Sequence, residues 1–189
     1  MAPSAFLSPD PLSVAELSAA RLDGDLARVS RTGYAPSLLP PSATVRAGAA
    51  RDVLADGLVA VGVTAAWVHG ALAHEPDPHE VQRLAGTPVR RHWRAGVISH
   101  AWPMPPGDVE TIAGAHITTI ERTCYDVSRA AFTGGGRPDQ LEAIRWFVAR
   151  TDLHPRILAW LRRGRRLRYT ARTARLLETG QDEVTRYTS

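Results

Sequence analysis

Lysine is missing from this 189-residue chain: all 23 basic side chains are arginine. Reactions that need an ammonium group lose their reagent, which removes phosphate-loop NTPases, Schiff-base enzymes and the usual lysine-dependent nuclease site. Cysteine is almost missing as well. The single Cys124 rules out an internal disulfide framework and a cysteine-rich zinc site, and it fits a reducing compartment. Long apolar runs are also lacking. The longest, residues 58–73, is interrupted by His69 and falls short of the roughly 20 residues a membrane span requires. The start, MAPSAFLSPDPLS, has no basic segment leading into a continuous apolar stretch, as a secretory signal would. The expectation is a cytoplasmic protein with no membrane partner.

What is present is arginine, unevenly spread. Ten arginines lie between Arg145 and Arg175 against one acid, Asp152, whereas residues 1–144 hold twelve arginines against fifteen acids. Planar guanidinium forks match phosphate and carboxylate groups, so nucleic acid or an acidic protein surface is the partner such a cluster fits. The plainer alternative is a solvated helical face in an arginine-rich, alanine-rich chain.

The local patterns give an α+β chain. Ser13-Val14-Ala15-Glu16 is a capping box at the start of a short helix that ends near Asp23-Gly24, and the segment around Val29 reads as extended and turning back at Thr32-Gly33-Tyr34. This is the outline of a winged-helix fragment, and Pro40-Pro41 closes it as residues 1–40. From residue 41 to 180 the pattern predicts a helix over Thr44 to Leu54, a strand over Leu58 to Val61 and a helix over Thr64 to Leu72 capped by Thr64. Short apolar pieces follow at 80–84, 89–93, 97–102, 109–112 and 116–119, spaced as a small, mixed, mainly antiparallel sheet. Helices are expected over Ile120 to Ala131, Pro138 to Ala149, Pro155 to Leu161 and Tyr169 to Leu177, with a break at Gly134-Gly135-Gly136. Residues 181–189 are a polar tail.

Signs of catalysis are weak. His69, His74 and His79 are spaced by five residues rather than the three or four that set ligands on one helical face, and prolines lie between the last two, so no metal is expected. Cys124 sits in an apolar helix and reads as a small core residue. No Gly-x-Ser-x-Gly elbow is present, and Ser99-His100 lacks an orienting acid. Asp108 and Glu110 alternate along a strand and would share a face, yet Gly107-Asp108 is also a simple turn leading to a solvated edge. The glycines at 134–136 lack the preceding strand of a dinucleotide loop. No catalytic residue and no cofactor are expected.

One segment is more specific. Gly107 to Ala130 reads as a strand, an Ala-Gly turn, a second strand with Thr118-Thr119, and a helix on which Arg122 and Asp126 are i,i+4 neighbours able to pair on the surface. The set Asp108, Val109, Gly114, Ile117, Thr118, Arg122, Thr123 and Asp126 resembles a segment of the AbiEi antitoxin family of type IV toxin–antitoxin systems. The likeness extends upstream to SVAELSAARLDGDLARVSRTGYAP and TAAWVHGAL and downstream through Leu141 to Leu177. The form it resembles is the actinobacterial type without a fused nuclease domain, with Asp108, Gly114, Thr118, Arg122, Thr123 and Asp126 as a structural motif.

The resemblance implies two roles: binding operator DNA to repress its own operon, and antagonising a partner nucleotidyltransferase toxin. Neither requires an enzyme. The residues expected to meet DNA are Arg21, Arg28 and Arg31 in the N-terminal module and Arg162, Arg163, Arg165, Arg166, Arg168 and Arg172 in the C-terminal helices. Replacing Arg162, Arg163, Arg165 and Arg166 together should weaken such binding most. The alternative is a protein-interaction module without DNA binding, with some of Trp67, Trp93, Trp102, Trp146 and Trp160 as anchors, or a non-catalytic relative of the nuclease-fused proteins.

Overall fold

A computed structural model describes residues 13–31, 33–38, 41–51, 53–54, 57–87, 96–163 and 167–180. Helix α1 (Val14–Leu22) starts on the expected capping box. The Ser13 side chain accepts the Glu16 amide at 3.2 Å, and the Ser13 amide donates to the Glu16 carboxylate at 2.7 Å. Strands β1 (Leu26–Arg28) and β2 (Tyr34–Pro36) then form a two-stranded antiparallel ribbon.

After Ser42, whose side chain accepts the Val45 amide, α2 covers Ala43–Ala50. It is shorter than the expected Thr44 to Leu54, and beyond it the Val53 amide closes a tighter turn on the Ala50 carbonyl, which also accepts the Leu54 amide. Strand β3 (Leu58–Ala60) leads into α3 (Gly62–Val68). The expected cap, Thr64, does not cap this helix. It lies within the first turn, and its hydroxyl accepts the Glu80 amide at 2.7 Å, fastening the helix to the next strand. Gly62 is required there: its φ is +52°, and a β-carbon would fall 1.9 Å from a Glu80 carboxylate oxygen.

Strands β4 (His79–Arg83), β5 (Val97–His100), β6 (Val109–Ile112) and β7 (Ala115–Thr118) complete a five-stranded sheet in the order β5-β4-β3-β7-β6. The β3–β4 and β6–β7 ladders are antiparallel, and the β3–β7 and β4–β5 ladders are parallel. With the N-terminal ribbon, antiparallel pairing predominates in an α+β fold. Ala113 and Gly114, with φ of 49° and 79°, form the two-residue turn of the β6–β7 hairpin, where both central residues must be left-handed. The piece expected over residues 89–93 lies outside the described residues.

Helix α4 (Ile120–Gly134) is capped by the Thr119 side chain and ends at Gly135 in the left-handed region; α5 (Pro138–Ala149), α6 (His154–Leu161) and α7 (Thr170–Thr179) follow. α4 is the hub of the core, packing on α3, α5, α6 and α7. Alanines at 47, 49, 50, 65, 66 and 143 allow close approach around Trp67, Phe147 and Ile157, all buried. Among the described residues no helix is long and apolar enough to cross a membrane.

Candidate functional site

The Arg-Thr-x-x-Asp segment forms a buried bolt rather than a surface pair. The Arg122 side chain is 2% exposed, and its Nε donates to Asp126 Oδ2 at 2.8 Å. Its Nη1 donates to Asp108 Oδ2 at 3.1 Å and to the Pro103 carbonyl at 2.9 Å. Trp160 on α6 donates its indole N–H to the other Asp108 oxygen at 3.1 Å. Asp108, expected either to share a strand face with Glu110 or to belong to a simple turn leading to a solvated edge, is fully buried in the turn before β6, while Glu110 within the strand is half-exposed. The turn at Pro106–Asp108 aims its carboxylate inward, where one guanidinium and one indole await it.

Two carboxylates share this single guanidinium. Burial pushes the Asp126 carboxyl up to about 6, against the opposing pull of Arg122, and among the described residues Asp126 Oδ1 has no hydrogen-bond partner. Burial alone would lower the Arg122 value, but Asp126 and Asp108 outweigh it and hold the guanidinium above its ordinary range. Beside the bolt, the Thr118 and Thr123 hydroxyls lie 2.8 Å apart, and Thr123 also donates to the Thr118 carbonyl, locking β7 to α4. Gly114 holds the hairpin turn. The motif thus unites the sheet, α4 and α6.

Several of the other chemically active side chains are engaged in the fold. His69 Nε2 lies 2.8 Å from the Thr118 carbonyl, and burial lowers its pKa. His79 contacts Glu75 at 3.1 Å through Nε2. No group of three metal-binding side chains occurs among the described residues. Burial pushes the Cys124 thiol up to about 12, far from the thiolate that chemistry would need. Trp67 and Trp160 are core residues. Trp102 lies between His100, at 4.0 Å, and the Arg129 guanidinium, at 4.3 Å, while Trp146 contacts Phe147 and Arg150. Trp93 lies outside the described residues.

The C-terminal arginines are on the surface. Arg162 and Arg163 leave the end of α6 and are exposed, and so are Arg168 and Arg172 at the start of α7; Arg165 and Arg166 lie outside the described residues. Arg162 pairs with Glu178 at 3.3 Å, and the Arg172 guanidinium lies 4.2 Å from the centre of the Phe132 ring. Thr173, Leu176 and Leu177 face the core, which leaves Arg172 and Arg175 together on the outer side. Arg175 was not among the expected contact residues, although its i+3 spacing from Arg172 carried the signal.

The N-terminal arginines are placed differently. Arg21 is exposed in the last turn of α1. Arg28 folds back to donate to the Ser30 and Arg31 carbonyls at 3.0 and 2.8 Å, and Arg31 pairs with Asp77 at 2.9 Å. Two of the three guanidiniums are thereby tied to neighbouring oxygens.

In comparisons with known proteins, no curated protein matches the chain. The sequence model of the AbiEi antitoxin C-terminal domain matches residues 58–179, from the start of β3 to the last residue of α7. That span contains the whole five-stranded sheet, the Arg122 bolt and the arginine surface. The chain belongs to the AbiEi antitoxin C-terminal domain family and has an antitoxin role, with a toxin as its general partner.

Proposed function

We propose that this antitoxin binds operator DNA, represses its own operon and antagonises a nucleotidyltransferase toxin. The observation that carries the DNA reading is the exposed arginine surface at the α6–α7 junction. Arg163, Arg168, Arg172 and Arg175 are exposed there, and among the described residues of that junction only Glu178 supplies an opposing charge. Such a surface gains affinity by releasing the counterions condensed on phosphates. Arg165 and Arg166 add to the same stretch of sequence. The N-terminal contribution falls mainly to Arg21, since Arg28 and Arg31 would have to leave their present partners to reach a phosphate.

The engaged histidines, the inert thiol and the buried carboxylates favour a binder over a catalyst. The test for DNA is a fluorescence-anisotropy titration of a duplex from the promoter upstream of the gene. The variant with Arg162, Arg163, Arg165 and Arg166 replaced by Gln should bind at least tenfold more weakly than wild type. Equal affinity would remove the arginine surface from the DNA reading. For the toxin, co-elution on gel filtration with the product of an adjacent nucleotidyltransferase gene is the expected result, and separate elution would contradict it.

A further inference from the structure

Tyr169 is the residue on the arginine surface that charge alone does not explain. It immediately precedes α7 with φ of 68°, in the left-handed region that a side chain with a β-carbon adopts at a cost. Residues kept in such a conformation tend to collect at binding sites, where the surrounding fold holds them in place. The residue is 38% exposed, one of few large apolar side chains so open among the described residues. Its ring centre lies 6.0 Å from that of Phe132 at an interplanar angle of 48°, and the Arg172 guanidinium covers Phe132 at 4.2 Å. Arg168 precedes the tyrosine directly and is exposed.

These residues place flat π surfaces among guanidinium groups. Single-stranded nucleic acid is bound by that pairing, cations following the backbone and aromatic rings receiving the bases. A continuous duplex keeps its base faces stacked on one another and has none to offer Tyr169. An acidic protein surface would also satisfy the arginines and cover the ring, and failure of every strand to bind is the outcome that reading predicts.

We infer that Tyr169, supported by Phe132 and Arg172, is a stacking platform for an unpaired nucleobase, so that, beyond the phosphate contacts its arginines make with a duplex, this surface holds a single strand with bases more tightly than one without. The inference rests on the reading that the arginine surface meets nucleic acid and specifies the form of that ligand. Tyr169 supplies the face, and Arg163, Arg168 and Arg175 hold the flanking phosphates.

The test is anisotropy on the full chain with four labelled probes of about twelve nucleotides: oligo-dT, oligo-U, an abasic deoxyribose-phosphate strand and a mixed-sequence duplex. Oligo-dT or oligo-U should bind about tenfold more tightly than the abasic strand, and the tighter of the two identifies the sugar the site accepts. This arm uses the wild-type protein, so it does not depend on any variant folding. Tyr169→Ala should lose a similar factor on the based strand and nothing on the abasic one, while Tyr169→Phe should keep wild-type affinity. Equal binding of based and abasic strands overturns the stacking platform, and the duplex reports what the arginines contribute without a free base. If those strands still bind in an arginine-dependent way, the arginine surface stands without the platform. Failure of all four probes to bind overturns both.

Discussion

Arg122 joins three separate segments through one guanidinium: its own helix at Asp126, the turn before β6 at Asp108 and the Pro103 carbonyl. Removing it takes away the guanidinium that donates to both buried carboxylates, which costs far more than the pair is worth in isolation. Arg122→Ala should therefore lose about 3–5 kcal/mol in urea unfolding, and a loss under about 1 kcal/mol would show that the ion pairs are not closed in solution. Asp126 gives the bolt a pH dependence. Its folded value of about 6 exceeds the unfolded value of about 4, so between those limits the folded state binds a proton that the unfolded state lacks. Its contribution to stability accordingly falls as pH rises from about 4 to about 6, the reverse of an acid stabilised by its partner. Glu75 and Glu80, whose values are lowered, act in the opposite direction, so the comparison must be with Asp126→Asn. The stability of that variant relative to wild type should increase across the window; a constant difference would contradict the account.

Elements set by near neighbours could be read from the chain, and elements set by distant ones could not. The Ser13–Glu16 capping box, the Ala113-Gly114 turn and the end of α4 among its glycines all depend on residues a few positions apart. The burial of Asp108 depends on Trp160, 52 residues away, so a local reading finds only a simple turn leading to a solvated edge. Thr64 was misplaced for a related reason. Its hydroxyl serves the Glu80 amide across the β3–β4 connection, while Gly62 opens the helix two residues earlier. At the candidate site the arginine-rich stretch is plain in the sequence, Arg175 included by its i+3 spacing from Arg172, but Tyr169 emerges only from its left-handed backbone and its exposure before α7. Among the caps, Thr119 matters most, because it starts the hub helix by accepting the Arg122 amide. Thr119→Ala should cost about 1 kcal/mol with far-UV circular dichroism unchanged, and no loss of stability in urea would show that water replaces the cap.

The whole molecule keeps the exposed arginines of α6 and α7 apart from the buried bolt. Residues 58–179, the span that matches the antitoxin family, contain the sheet, the bolt and the arginine surface, while the N-terminal ribbon reaches that body through Arg31 with Asp77 and Glu75. Trp160 joins the two regions, since its indole N–H donates to Asp108 two residues before Arg162 begins the exposed arginines. The excess of positive charge at the C-terminal end gives the molecule a directional field that would steer a phosphate backbone toward α7. The most direct test of this central claim is the salt dependence of duplex DNA binding by wild type and by a variant with Arg163, Arg168 and Arg175 changed to Gln. Each phosphate contact contributes about 0.9 to the slope of log K against log salt, so the account predicts a slope shallower by about 2–3 in the variant. An identical slope in the two proteins would contradict it, because those guanidiniums would then be neutralising no phosphate.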